Sequence, residues 1–236
     1  MGSFLVEGIH PIGEAFAAGW EVEHLVYAPE MLKSEFGVKL VKEQSRKGTQ
    51  VVPVTTPLFE NLASKENPQG ILAIVKQKHK TMDQCPWEGF SLGAALVTPQ
   101  DPGNLGTILR TLDAVGADGL FLLEGGVDPF HPSAVRASMG TIFWVPVYEG
   151  SFSNLVRWVK KNQITLVGTS AHASQDYHTL QKIGARRMLL LGSEQKGLSQ
   201  EQMDACDVVV SLPMRGRASS LNLSVAAGIL LYTLES

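Results

Sequence analysis

The chain carries only two cysteines, Cys85 and Cys206, in 236 residues. Two thiols cannot build the disulfide framework of a small secreted domain, and neither sits at a metal-ligand spacing. No apolar run approaches the roughly 20 residues that cross a bilayer, and the N-terminus lacks the basic-then-apolar pattern of a secretory signal. A reducing cytoplasm is the expected compartment, with no membrane and no metal. G-x-G-x-x-G is absent, which removes the dinucleotide fingerprint, and so is H-E-x-x-H. Gly192-Ser-Glu-Gln-Lys-Gly197 has the glycine spacing of a phosphate-binding loop. Leu198 and Ser199 stand where that loop needs Lys and Ser/Thr, so a conventional NTPase, dehydrogenase or metallohydrolase is disfavoured.

Charge of one sign is missing too. Twenty basic and 23 acidic side chains give a net charge of −3. Residues 1–80 hold nine of each, so the acidic excess lies in residues 81–236. A nucleic-acid partner normally leaves a basic footprint. Here it would have to use local groups: Lys76, Lys78 and Lys80, Lys160 and Lys161, Arg186 and Arg187, Arg215 and Arg217. Each of these taken alone reads first as a solvated surface rather than an RNA contact.

What is present is an ordinary folding composition, 44% hydrophobic and 18% charged, long enough for one large domain or two modest ones. Residues 1–78 read as a small α/β unit. Helices are expected over 10–18, 36–46 and 57–63, and strands over 22–27, 50–54 and 71–75. Gly19 and Gly48 are placed as helix terminators. The stretch from His79 to Phe90 mixes Lys, Thr, Asp, Gln, Pro and Gly without periodicity and reads as a linker, bounded at 79–92. From residue 93 short apolar runs (94–97, 120–123, 164–167, 188–191 and 208–212) alternate with helical candidates (104–115, 152–161, 199–205 and 219–235). Runs apolar on both faces and separated by helices predict a parallel sheet covered on both sides. In such a sheet ligands bind beyond the strand C-termini, and Asn104, Ser170, Gly192 and Met214 all follow such ends.

Three blocks carry the chemistry. In the first, Asn104-x-Gly106-x-x-x-Arg110, Asn104 is placed as a helix cap and Gly106 as a point of close packing. In the second, Gly192-x-Glu194-x-x-Gly197, the bare Gly192 backbone is expected to admit a ligand. Ser199 and Gln202 behind it spell a capping box. In the third, Pro213-Met-x-Gly216-x-x-x-Ser220-Leu-Asn222-x-Ser224, a polar loop feeds a helix that is apolar on nearly every side, so it should be buried in a core or against another subunit. Capping explains one of Ser219, Ser220, Asn222 and Ser224 at such a helix start, not all four.

In this order and spacing, the blocks resemble the motifs of the SpoU/TrmH family of RNA ribose 2′-O-methyltransferases, of the knotted SPOUT class. Arg136-x-Ser138-x-Gly140 resembles a further family segment, with Thr141 where alanine is common. Residues 4–78, beginning Phe4-Leu-Val-Glu-Gly8, resemble the small substrate-binding domain that often precedes the catalytic one. Relatives often have further basic residues before it, so a shortened start is expected. The resemblance implies a trefoil-knotted α/β domain over 93–236 that uses S-adenosylmethionine as donor and works as a homodimer. It implies ribosomal RNA as substrate, with transfer RNA or a non-catalytic RNA-binding role as alternatives. It places the donor against Thr169, Ser170, Ala171, Gly192, Leu212, Met214 and Leu221. It gives Arg110 the 2′-hydroxyl, either as a perturbed base or as a stabiliser of developing alkoxide, with Asn104, Glu194, Ser220 and Asn222 positioning the reacting groups.

Overall fold

The chain forms two sheets in this computed structural model, which describes residues 2–64 and 67–235. The first part runs β1 (Ser3–Glu7), α1 (Ile9–Ala17), β2 (Val22–Tyr27), α2 (Glu35–Arg46), β3 (Gln50–Pro53), α3 (Thr56–Leu62) and β4 (Ile71–Lys76). The second runs β5 (Lys80–Thr81), β6 (Leu92–Val97), α4 (Pro102–Ala114), β7 (Gly119–Leu123), α5 (Pro132–Ala137), β8 (Val147–Gly150) and α6 (Phe152–Lys161). It continues with β9 (Thr165–Thr169), β10 (Gln175–Asp176), β11 (Arg187–Leu191), α7 (Gln200–Asp204), β12 (Val208–Ser211) and α8 (Leu223–Glu235). No helix among the described residues is long and apolar enough to cross a membrane.

The first sheet has the order β1-β4-β2-β3. The second has the order β10-β12-β9-β11-β6-β7-β8-β5 and is parallel throughout. Its central β6 and β7 are buried along their whole length, as expected of runs apolar on both faces. From β6 the chain builds outward through β7 to β8, then returns to the other side of β6. The strand order therefore reverses between β6 and β11, which makes a crevice beyond their C-termini.

The stretch read as a linker does more than connect. Lys80 and Thr81 pair with Tyr148 and Glu149 as the edge strand β5, and Met82, Cys85 and Phe90 are buried under the second sheet. Two exposed polar residues carry no strand period, because β5 is held by its partner β8 rather than by its own pattern. β8 and β10 are likewise short, whereas β1, absent from the strands expected over residues 1–78, points Phe4 and Val6 inward at a strand period.

The two sheets share one apolar core. Phe4 lies 4.7 Å from Phe130 and 6.2 Å from Phe143 between ring centroids. Trp20 packs edge-on to Phe143 at 5.3 Å, and its indole N–H donates to the Phe143 carbonyl at 2.9 Å. The Arg136-x-Ser138-x-Gly140 segment belongs to this seam. Ser138 is fully buried and its hydroxyl donates to the Val135 carbonyl at 2.7 Å. Gly140 takes a left-handed φ of 98°, and a Cβ there would meet Glu14 Cγ at 2.8 Å. Phe4→Ala should cost about 3 kcal/mol, the low end for a buried aromatic, and should lower the midpoint of one unfolding transition. Two separate transitions in urea, with only one of them shifted, would show that the sheets fold independently.

Candidate functional site

Asp101, not Asn104, caps α4. Its carboxylate accepts the Asn104 backbone N–H at 2.7 Å, and Pro102 occupies the first helical position. Proline there has no N–H to satisfy and its φ suits a helix start, so Asp-Pro fixes the entry three residues earlier than an Asn104 cap would. The Asn104 side chain is thereby released for other work, although the residue is only 9% exposed.

That side chain joins all three blocks. Asn104 Nδ2 donates to Glu194 Oε1 at 3.1 Å, and its Oδ1 accepts from Asn222 Nδ2 at 2.9 Å. The Glu194 carboxylate also accepts the backbone N–H groups of Gln100 at 3.1 Å and Asp101 at 3.3 Å. Asn222 Oδ1 in turn accepts from the Ser224 N–H at 2.8 Å and hydroxyl at 2.7 Å. The loop after β6, the loop after β11 and the start of α8 are thus tied together at the strand-order reversal. Buried amides need partners, and here each partner comes from a different block.

α8 starts later than its sequence suggests. The Ala226 N–H donates to the Asn222 carbonyl at 3.0 Å, and the helix begins at Leu223 rather than at residue 219. Asn222 acts as its cap, which ends the helix on that side. Ser220 consequently lies in an exposed loop, and its hydroxyl makes no hydrogen bond among the described residues. Arg110 also stands apart from the cluster. It is exposed on α4, about 9 Å along the axis from Asn104 at 1.5 Å per residue, and forms no ion pair among the described residues. Of the five residues expected to act in chemistry, Asn104, Glu194 and Asn222 meet, while Arg110 and Ser220 face solvent.

The segments expected to hold a donor follow neighbouring strands. Thr169 ends β9, and the Ser170 N–H donates to the Val210 carbonyl of β12 at 3.0 Å, so this turn leans over its neighbour. Gly192 follows β11, and Leu212 and Met214 follow β12; β12, β9 and β11 are consecutive in the sheet. Met214 and Leu221 expose 36% and 38% of their surface. Residues 214–221 make no backbone hydrogen bond among the described residues, so this loop has amides and carbonyls to spare. A flat, apolar-sided ligand held by backbone groups fits such a set.

Gly192 is bare because its own loop, not the ligand expected there, occupies the space where a side chain would stand. A Cβ on it would stand 2.0 Å from the Gly197 carbonyl carbon and 2.3 Å from the Leu198 nitrogen. Its bare face is filled by its own loop, which folds back through the Gly197 N–H to Ser193 carbonyl bond of 2.9 Å. The glycine shapes the turn that presents Glu194. Gly106 matches expectation, since a Cβ there would lie 2.4 Å from the Ala134 carbonyl oxygen of α5. Ser199 and Gln202 form the expected capping box. The sequence signal for the cap of α4 is Asp101 directly before Pro102. Burial pushes the Cys206 thiol up to about 12 and raises that of Cys85, which leaves both protonated and poor nucleophiles at neutral pH.

A parallel α/β sheet with a polar cluster at its topological switch defines the class. The description "SpoU rRNA Methylase family" matches residues 91–232, and "MRM3-like substrate binding domain" matches residues 1–73. The chain belongs to the SpoU rRNA methylase family. It is 34% identical to the 23S rRNA (uridine(2479)-2′-O)-methyltransferase of Streptomyces viridochromogenes, over 98% of this chain and 82% of that one. It is 32% identical to the 23S rRNA (guanosine(2553)-2′-O)-methyltransferase RlmP of Bacillus subtilis, over 91% and 87% of the two chains. The AdoMet-bound rRNA methyltransferase of Sinorhizobium meliloti superposes with a TM-score of 0.86 at 34% identity, covering 98% of this chain and 86% of that one.

Proposed function

We propose that this protein transfers a methyl group from S-adenosylmethionine to a ribose 2′-hydroxyl of ribosomal RNA. The observation that carries the reading is the hydrogen-bonded cluster of Glu194, Asn104 and Asn222. It draws the three family blocks to one crevice, in a chain whose relatives are named for this reaction on 23S rRNA. S-adenosylmethionine supplies an activated methyl on a positively charged sulfur, and no metal is needed for that. Thr169, Ser170, Ala171, Gly192, Leu212, Met214 and Leu221 would hold it, chiefly through backbone groups and apolar sides. Glu194, Asn104 and Asn222 would fix the loops around the reacting ribose, and Ser220 would join them once RNA fills the crevice. Arg110 would face the 2′-hydroxyl. A guanidinium has no acceptor and keeps its proton, which favours its stabilising a developing alkoxide over its removing the proton. Mapping ribose methylation in ribosomal RNA from cells with and without the protein tests the reading. One position losing methylation is expected; an unchanged map, with labelled methyl appearing in transfer RNA instead, would overturn it.

The reading extends to architecture. Residues 1–78 would select the RNA and 93–236 carry the chemistry, with 79–92 between them, in the cytoplasm. A trefoil knot over 93–236 is supported by β11 entering between β9 and β6 while α8 returns to pack on α4. A homodimer is supported by α8, which buries Ala227, Leu230, Leu231 and Leu234 yet leaves Val225 and Ile229 50% and 38% exposed. These two are four residues apart, on one side of the helix. Sedimentation should give twice the 25.5 kDa chain mass, and Val225→Asp should shift it toward monomer. A wild-type monomer that still methylates RNA would sink the dimer.

A further inference from the structure

The chain as a whole is acidic, yet one helix of its first part is not. Residues 33–47 carry five basic side chains and two acidic ones. α2 buries Gly37, Leu40, Val41 and Gln44, which turns Lys39, Lys42 and Arg46 outward at spacings of three and four, on one face. All three are exposed, as is Lys33 just before the helix, and none of the four forms an ion pair among the described residues. Of the two acids, Glu43 is engaged by Lys47 at 2.7 Å. Glu35 stands in the first turn, where a carboxylate complements the helix dipole. The basic row borders a shallow groove of about 480 Å³.

Beside this row stands an aromatic ring that the fold does not bury. Phe36 is 57% exposed, and its edge rests on α1 so closely that a Cβ on Gly13 would lie 3.4 Å from the ring. An exposed phenyl ring costs apolar hydration and gains little packing, whereas one fixed beside a row of cations is the pairing that takes nucleic acid by backbone and base together. The position is compatible with the site. α2 packs on α1, α1 packs on the turn at Thr141–Phe143, and that turn packs on α4, the helix that carries Arg110. The cationic row and Arg110 therefore belong to one continuous layer of helices.

We infer that the outer face of α2 is an RNA-docking surface, with Lys39, Lys42 and Arg46 on successive phosphates and Phe36 under an unpaired base. This rests on the ribosomal RNA reading and adds which surface selects the substrate. The test uses the full chain and an in vitro transcript of large-subunit ribosomal RNA, with binding measured from low to moderate salt. Each phosphate contact contributes about 0.7 to the slope of log affinity against log salt on single strands. The triple change Lys39→Gln, Lys42→Gln, Arg46→Gln should therefore reduce that slope by about two. Phe36→Ala should weaken binding about fivefold or more, in keeping with the loss of one base stack, and leave the slope unaltered. Arg157→Gln, on the exposed side of α6, serves as the control and should change neither. S-adenosylmethionine binding, read by calorimetry, should be the same in every variant. An unaltered slope in the triple variant, or an equal fall in the control, would overturn the α2 surface. Wild-type protein that transfers no methyl to the transcript would instead overturn the ribosomal RNA reading on which it stands.

Discussion

Replacing Arg110 by alanine should lower methyl transfer at least roughly a hundredfold, the lower range for loss of an acid–base group or of a charge-stabilising donor. S-adenosylmethionine should bind as before, because the segments assigned to it follow β9, β11 and β12 while Arg110 lies on α4. The fold should also be indifferent. Arg110 is exposed and makes no ion pair among the described residues, and such surface changes typically stay within about 0.5 kcal/mol. In the proposed reading Arg110 acts on the substrate alone, so neither fold nor donor binding should register its loss. Arg110→Lys then separates the two chemical roles. Lysine loses its proton far more readily than arginine, so a base would show activity that climbs with pH. A planar guanidinium matched to ribose and phosphate would show little rescue at any pH. Near-normal turnover of the alanine variant on native RNA would remove Arg110 from the chemistry and leave an RNA-binding protein.

The second large effect is expected at Gly192. Valine there should weaken S-adenosylmethionine binding at least tenfold, for a reason different from the one its sequence suggests. The new Cβ would stand 2.0 Å from the Gly197 carbonyl carbon and 2.3 Å from the Leu198 nitrogen. These are backbone atoms, which cannot swing aside as a side chain would. The 193–198 turn must open, and opening it draws Glu194 away from Asn104, Gln100 and Asp101. Overpacking of this kind costs typically 1–3 kcal/mol, borne mainly by the loop. Melting temperature and circular dichroism should therefore change modestly while calorimetric binding collapses. Full donor affinity in a folded Gly192→Val protein would show that this turn plays no part in holding the donor.

Both expectations began in the sequence, which was legible to different depths along the chain. The central strands declared themselves because β6, β7 and β11 are buried on both faces and must be apolar throughout. The capping box at Ser199 and Gln202 and the close packing at Gly106 are local and could be read from spacing alone. β5 could not, because two polar residues pair with β8 only once the rest of the sheet exists. Nor could the cap of α4 be assigned from Asn104, because Asp101-Pro102 reads equally as a turn until the helix is seen to start there. Composition alone marks a boundary at residue 79, whereas Phe4, Trp20, Phe130 and Phe143 pack across it from more than a hundred residues apart in the chain.

By itself, then, the sequence determined the parallel α/β class, the three polar blocks and the family they resemble. Each of these is encoded in local periodicity, composition or fixed spacing, which need no knowledge of what packs where. Only the tertiary structure decided which block residues meet. Asn104, Glu194 and Asn222 stand 90 and 118 positions from one another along the chain, counted from Asn104, and become neighbours because β11 is inserted next to β6 and α8 returns to α4. Tertiary packing also turned Arg110 and Ser220 toward solvent and gave the Gly192 space to its own loop. Side-chain direction at these positions depends on strand order and helix phase, and neither is written in any single stretch of the chain.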